Sequence, residues 1–265
     1  MKVGYCVTVA PTLASYRLRV EIPARHLGCE YAVGVTGRPT FFYKNGGHRL
    51  AESLAGGVVY DVVNDHFHGG HAKDYHAMCD VADVVTCSSE TMQDIVYRNT
   101  GRDSTVIDDP FENELSEPAC IGEGVLWFGH AANIGSLLPY APLEHLLVCT
   151  NGDYAHVQWS LENEAKCLQG AAVVLMTGGS PGASANRVVK AIRAGRFVVA
   201  PDGCAESWRE LAPYIWVGDV KDGIAWALNN REEACNKITQ GQAYTQARFS
   251  PQSIGSQWTE LFNSI

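Results

Sequence analysis

No apolar run in the sequence is long enough to span a bilayer, and none of its nine cysteines stands in a Cys-x-x-Cys pair. The first absence leaves no membrane helix to propose. The second, with an odd count scattered over Cys6, Cys29, Cys79, Cys87, Cys120, Cys149, Cys167, Cys204 and Cys235, argues against a disulfide frame and a thiolate zinc site. Charged residues are also sparse, at 18% against 46% hydrophobic, a composition that suits a folded globular chain and not a disordered one. The N-terminal MKVGYCVTVAPTL holds one Lys and a short apolar stretch that reads as a first strand, not as a secretory leader. Buried thiols in a reducing compartment and no leader give a cytoplasmic expectation.

An excess of basic charge is lacking too. The net charge of -9 speaks against a nucleic-acid partner, yet the first fifty residues hold seven Lys or Arg and two Glu. Arg17, Arg19, Arg25, Arg38, Lys44 and Arg49 against Glu21 and Glu30 make one edge of the N-terminal half locally basic.

What is present is alternation. KVGYCVTV reads as a strand, 16–27 as a helix, YAVGVT as a second strand, GGVVYDVVND as a third, and GHAKDYHAMCDVA, DVVTCSS, SETMQDIVYRNTG and STVIDDP continue helix, strand, helix, strand. FENELSEPACIGEG has no period and reads as a linker. The pattern then restarts with the strand GVLWFG, a turn and helix in HAANIGSLLPYAPLE, and the run HLLVCTN, SLENEAKCLQG, AAVVLMT, the 184–194 helix and RFVVAPD, followed by a helix at CAESWRELAP, a strand at YIWVG and a long helical C-terminus, with Ser250-Pro251 opening a final helix. The expectation is an α/β chain of two Rossmann-like, doubly wound lobes facing a cleft. Residues 1–116 form the acceptor lobe and 117–249 the donor lobe, while the helix at 250–265 packs back on the first.

One stretch poses a chemical question. In SANRVVKAIRAGRFVVAPDG, Ser184 is placed to cap a helix, Val188, Val189 and Ile192 give it an apolar stripe, and Gly195 is placed to end it in a left-handed turn. Asn186 and Arg187 stand at its positive end, where an anion, phosphate above all, is favoured. Arg187, Lys190 and Arg193 fall three apart on one side, which is equally the pattern of a solvated basic face. Gly129 to Asn133, with His130 between, offers either backbone N–H groups to a phosphate or a plain βα turn. Glu206 reads as a donor-hydroxyl ligand or as an ordinary acid at a helix start.

In the first half, Ser15, Arg17 and Arg19 follow the first strand and are candidate acceptor contacts. Their alternate spacing lets only one arginine face a ligand. Asp65, His66 and His68 follow a strand, where one could act as general base toward a hydroxyl or orient it. With His71 and His76 the cluster also invites a metal reading, but its spacing matches no closed zinc signature.

DVADVVTCSSETMQDIVYRNTGRDSTVIDDPFE resembles the end of the N-terminal domain of GT-B glycosyltransferases of the family-four-like kind. VLWFGHAANIGSL is similar to the first strand and glycine loop of their C-terminal domain, and SANRVVKAIRAGRFVVAPDGCAE to their donor-phosphate helix and the strand after it. The resemblance spans about 58 to 215. It implies transfer of a sugar from a nucleoside-diphosphate donor, a UDP-sugar being favoured, to an acceptor hydroxyl, with retention at the anomeric carbon and no further cofactor or metal. Asp65, His66 and Arg187 take the catalytic roles. Gly129, His130, Asn133, Ser184, Asn186, Arg187, Lys190 and Glu206 bind the donor, and Ser15, Arg17, Arg19 and His68 the acceptor. The sequence departs from the family's Glu-x7-Glu pattern, with Gly182 and Lys190 at those positions, which removes the expected ribose acceptor. The acceptor stays open between a glycan, a metabolite and hydroxymethylated DNA of the kind phage enzymes modify, which would make the chain a DNA 5-hydroxymethylpyrimidine glucosyltransferase. Rival readings are a metal-dependent hydrolase on the histidine cluster and a non-catalytic nucleotide-sugar binding protein.

Overall fold

Runs of β-branched and aromatic residues set the strands. Val58–Val62, Val125–Phe128 and Phe197–Ala200 are buried at every position, as in parallel sheets covered on both faces. The computed structural model describes residues 4–7, 14–28, 40–43, 48–54, 57–178, 182–204 and 206–265, with side chains left aside at 4–7, 50, 206 and 207. They divide into two units. The described parts of Met1–Glu112, Ser180–Ala185 and Arg248–Ile265 form the first, and those of Asn113–Gly179 and Asn186–Ala247 the second. Among the described residues no helix is long and apolar enough to cross a membrane.

The first unit holds a parallel sheet with strands in sequence order: β1 (Gly4–Val7), β2 (Thr40–Tyr43), β3 (Val58–Val62), β4 (Val84–Cys87) and β5 (Thr105–Val106). The sequence pattern had not marked β2, although all four of its residues are buried. The strand expected at 31–36 lies outside the described residues, as do Glu30, Arg38 and Lys44. A helical stretch covers residues 14–26, with a π-turn at Arg17–Glu21 just ahead of Pro23. Proline has no N–H to return to the carbonyl four residues back, and a wider turn accommodates the loss. The C-terminal helix Pro251–Asn263 packs on Ile22–His26, where a Cβ on Gly255 would stand 2.2 Å from the His26 ring.

The second unit is doubly wound. Its strands β6 (Val125–Phe128), β7 (Leu146–Thr150), β8 (Val157–Gln158), β9 (Val173–Leu175), β10 (Phe197–Ala200) and β11 (Trp216–Val217) stand in the order β11-β10-β9-β6-β7-β8, all parallel. The chain runs outward from β6 to β8, returns to set β9 beside β6, and runs out the other way. That reversal makes a topological switch point between β6 and β9, where open α/β sheets bind ligands beyond the carboxyl ends of the strands.

Helix starts follow local rules. Ser89, Ser160 and Ser250 accept hydrogen bonds from Met92, Asn163 and Ser253 N–H at 3.1, 3.0 and 3.1 Å. Two expected helices are instead 3₁₀ turns. Ala131–Ser136 and Leu138–Tyr140 are broken up by Pro139, and Glu206–Tyr214 is interrupted at Trp208 and contains Pro213. Ser184 does not cap the helix that follows it. That helix begins at Asn186, and the Ser184 hydroxyl donates to Asp109 at 2.5 Å.

Gly195 ends the helix Asn186–Arg193 at φ +74°, and a Cβ there would lie 2.1 Å from the Glu117 carbonyl oxygen. Gly195→Ala is therefore expected to destabilise the protein by at least about 1 to 3 kcal/mol in chemical denaturation. Gly170→Ala, where a Cβ meets open space, is the control expected to change little.

Candidate functional site

The carboxyl ends of β6, β9 and β10 gather the site of the second unit. β6 runs into Gly129, β9 into Thr177 and Gly178, and β10 into the turn holding Cys204. Arg187, in the first turn of Asn186–Arg193, reaches this edge, and its Nη1 donates to the Phe128 carbonyl at 3.1 Å. Gly129 makes room for it, since a Cβ at 129 would stand 2.8 Å from Nη1. The sequence left the loop from Gly129 to Asn133 open between backbone N–H groups facing a phosphate and a plain βα turn. Its N–H groups are largely used inside the structure. Gly129 N–H donates to Cys149 O, Ala131 N–H to Asn151 Oδ1, Ala132 N–H to His130 Nδ1 and Asn133 N–H to His130 O. His130 thus caps a 3₁₀ turn, and Gly129 serves the site through the guanidinium it admits.

The three basic residues of the helix do not form a solvated face. Arg193 is 4% exposed and donates to Asn113 O at 3.3 Å and Gln246 Oε1 at 3.0 Å. Lys190 Nζ donates to Glu164 Oε1 at 2.7 Å, so the ammonium expected to contact the donor is already paired with a carboxylate. Arg187 differs from both. It is partly buried, and among the described residues no carboxylate stands within ion-pair distance of it. Burial lowers its pKa below the usual guanidinium value, with Glu164 and Cys204 opposing from a greater distance. Cys204 lies close by, its Sγ 3.4 Å from where a Gly178 Cβ would be. Burial raises the Cys204 thiol, and a Gly178 hydrogen bond and Arg187 pull it back. Glu164, Trp159, Thr177 and Cys204 were not marked in the sequence, where Glu164 looked like any acid in a helix's first turn. The Glu206 side chain lies outside the described residues.

The first unit is organised around a different arginine. Arg19 is 1% exposed, and its guanidinium donates to both carboxylate oxygens of Asp61 and to the Ile107 carbonyl. Asp109 Oδ1 lies 3.5 Å away, the Trp258 ring covers the guanidinium at 5.2 Å, and Thr86 donates to Asp61 at 2.7 Å. Burial opposes the Arg19 charge, and Asp61 above all, then Asp109, more than reverses it. Burial raises Asp109, against the pull of Arg19 and the Ser184 hydroxyl. An arginine this enclosed has no face for an acceptor, which corrects the sequence expectation for Arg19. Arg17 forms a two-pronged pair with Glu112 at 2.7 and 2.9 Å, and Arg25 pairs with Glu21. Three of the four described arginines of that edge are thus answered from within, while Arg49 is exposed.

The histidine segment follows β3. Asp65 Oδ1 accepts from Phe67 N–H at 3.3 Å, and the His66 ring packs 5.4 Å from Tyr75 and 5.7 Å from His71. His68 is exposed, and His76 stacks edgewise on Phe67. Among the described residues no three His, Cys, Asp or Glu side chains converge on one ion position. Ser15 lies beside the Tyr43 hydroxyl. Ser184 and Gly182 sit in the first unit, where the Ser89 hydroxyl donates to Gly182 O at 3.0 Å. Gly182 has φ +76°, a left-handed backbone that strains a glutamate or any other L side chain at this position.

No protein-family model and no curated protein matches the chain. Solved structures do. HepE from Anabaena in complex with UDP-glucose matches with a TM-score of 0.73 at 14% identity, over 100% of both chains. Sucrose-phosphate synthase from Thermosynechococcus elongatus matches at 0.65 and 14%, over 97% of this chain and 80% of that one. TarM matches at 0.65 and 12%, over 86% of this chain, which spans only 56% of TarM. These are glycosyltransferase structures of the GT-B fold, and at such identities the likeness shows the fold: two Rossmann-like lobes.

The two arginines are expected to respond oppositely to replacement by methionine. Arg19→Met strands Asp61 and Asp109 and lowers stability by roughly 3 to 5 kcal/mol. Arg187→Met removes a charge that burial disfavours, so the ligand-free protein keeps or gains stability. Thermal unfolding of the two variants without nucleotide measures the contrast.

Proposed function

We propose that the chain is a glycosyltransferase that moves a sugar from a nucleoside-diphosphate sugar, with UDP the favoured carrier, to an acceptor hydroxyl. The observation that carries this reading is Arg187, a partly buried cation without a carboxylate partner among the described residues, at the switch point of a doubly wound sheet. Transfer breaks the bond between the sugar's anomeric carbon and the diphosphate oxygen, and the departing diphosphate gains negative charge. A fixed guanidinium and the start of its helix, Asn186 and Arg187, stabilise that charge without an obligatory metal. The HepE structures hold UDP-glucose, UDP with glucose, or UDP, which supports the same donor class here.

On the acceptor side, Asp65 or His66 takes the proton from the attacking hydroxyl, and His68 orients the acceptor. Retention at the anomeric carbon belongs to this proposal. Arg17, Arg19 and Arg25 are paired with carboxylates, so these three offer little to a polyanion. The proposed acceptor is a neutral glycan or metabolite. Transfer to such acceptors, set beside duplex DNA carrying 5-hydroxymethylpyrimidines, tests that choice, and donor turnover of any kind separates the enzyme from a non-catalytic binder.

Arg187→Ala is expected to weaken nucleoside-diphosphate binding about tenfold to a hundredfold, the worth of a charge-assisted hydrogen bond. Calorimetry with UDP, ADP and GDP measures it, and an unchanged affinity refutes the assignment. Turnover is further expected to survive EDTA. Loss of activity on chelation, restored by magnesium or zinc, would overturn this and favour the metal reading of the histidine segment.

A further inference from the structure

One carboxylate lies among the cations of the second unit's site. Glu164, near the start of the helix Leu161–Gly170, is 6% exposed. Its Oε2 accepts from Trp159 Nε1 at 2.7 Å and its Oε1 from Lys190 Nζ at 2.7 Å. Lys190 follows Arg187 by three residues on the same helix side, so Glu164 stands next along the helix from the Arg187 guanidinium, which has no carboxylate within ion-pair distance among the described residues. A buried ion pair is seldom a net gain in stability over apolar side chains of the same volume, which makes its presence beside a binding edge notable.

The pair has two consequences for a ligand. It cancels the Lys190 charge, which leaves Arg187 as the cation for the diphosphate. It also fixes a carboxylate that keeps accepting capacity. A carboxylate offers about four lone-pair sites, and Trp159 and Lys190 each take one. Among the described residues no other side chain donates to Glu164. A rigid carboxylate with open lone pairs beside a diphosphate cation is matched by neighbouring hydroxyl donors joined to that diphosphate. In a nucleoside diphosphate these are the ribose 2′ and 3′ hydroxyls.

Resting on the donor reading above, we propose that Glu164, oriented by Trp159 and Lys190, is the ribose-binding residue of this chain. A carboxylate from a helix 26 residues upstream then supplies the acceptor that the lysine at 190 cannot. Lys190 is a positioning residue in this arrangement and touches the donor only through Glu164.

Calorimetry of the intact chain with UDP, ADP and GDP, each beside its 2′-deoxy counterpart, tests this. The nucleotide that binds best is expected to lose about tenfold or more in affinity without its 2′ hydroxyl, because the deoxy form leaves a charged acceptor unanswered. In Glu164→Gln that gap is expected to shrink to within about twofold, with affinity for the deoxy nucleotide unchanged. The double variant Glu164→Gln with Lys190→Met carries no stranded lysine and is expected to behave the same, which covers a fold defect in the single variant. Equal binding of ribo and deoxy forms by the wild type overturns the assignment and leaves the donor reading standing. So does a gap that persists in either folded variant. Absence of any nucleotide binding by the wild type overturns both.

Discussion

A guanidinium held partly out of water costs free energy unless a counter-ion meets it, and Arg187, where β6 and β9 part, has no carboxylate within ion-pair distance among the described residues. Much of the second unit's edge follows from accommodating it. Gly129 has no side chain because one would collide with Nη1, and the Phe128 carbonyl is turned to accept from it. Lys190 and Arg193, the other cations of the same helix, are each given partners of their own. The charge left over is local and directed. That is the electrostatic condition for receiving an anion, because the ligand supplies what the fold withholds.

Arg19 shows the opposite solution to the same problem. Its charge is surrounded by two aspartates, a carbonyl and the face of Trp258, and the cluster joins the helical stretch at 14–26, β3, the segment after β5 and the C-terminal helix. A network of this kind ties sequence-distant segments of one unit together, and loss of one member leaves the others buried and unanswered. The two arginines thus differ in what surrounds each one and not in residue type: Arg19 is enclosed by carboxylates, and Arg187 has none within ion-pair distance among the described residues.

Strand and helix identity was largely legible from the chain. Continuous apolar runs marked most strands, and the alternation of strand and helix carried the fold class, which the likeness to solved GT-B structures bears out. The misses have physical causes. β2, with TFFY, is short and flanked by glycines and a lysine, so no alternation announces it. The helices expected after β6 and β10 became 3₁₀ turns where proline or a non-helical residue breaks the hydrogen-bond ladder. Near the switch point, the place of Arg187 in the first turn of a helix was legible, whereas the burial of Glu164 against Lys190 was not, since nothing near it in sequence distinguishes it from Glu162.

Helix caps, the left-handed stop at Gly195 and the buried strand runs were determined by the sequence itself, because each depends on residues within a turn or two of one another. Charge pairing was decided only by the tertiary structure. Arg19 finds Asp61 at a separation of 42 residues and Lys190 finds Glu164 at 26, contacts that exist only after the strands take their order in the sheets. Coulombic and hydrogen-bond energies act over a few ångströms of space and take no account of distance along the chain. Which arginine is enclosed by carboxylates was therefore fixed by folding, and no spacing in the sequence could have set Arg19 and Arg187 apart.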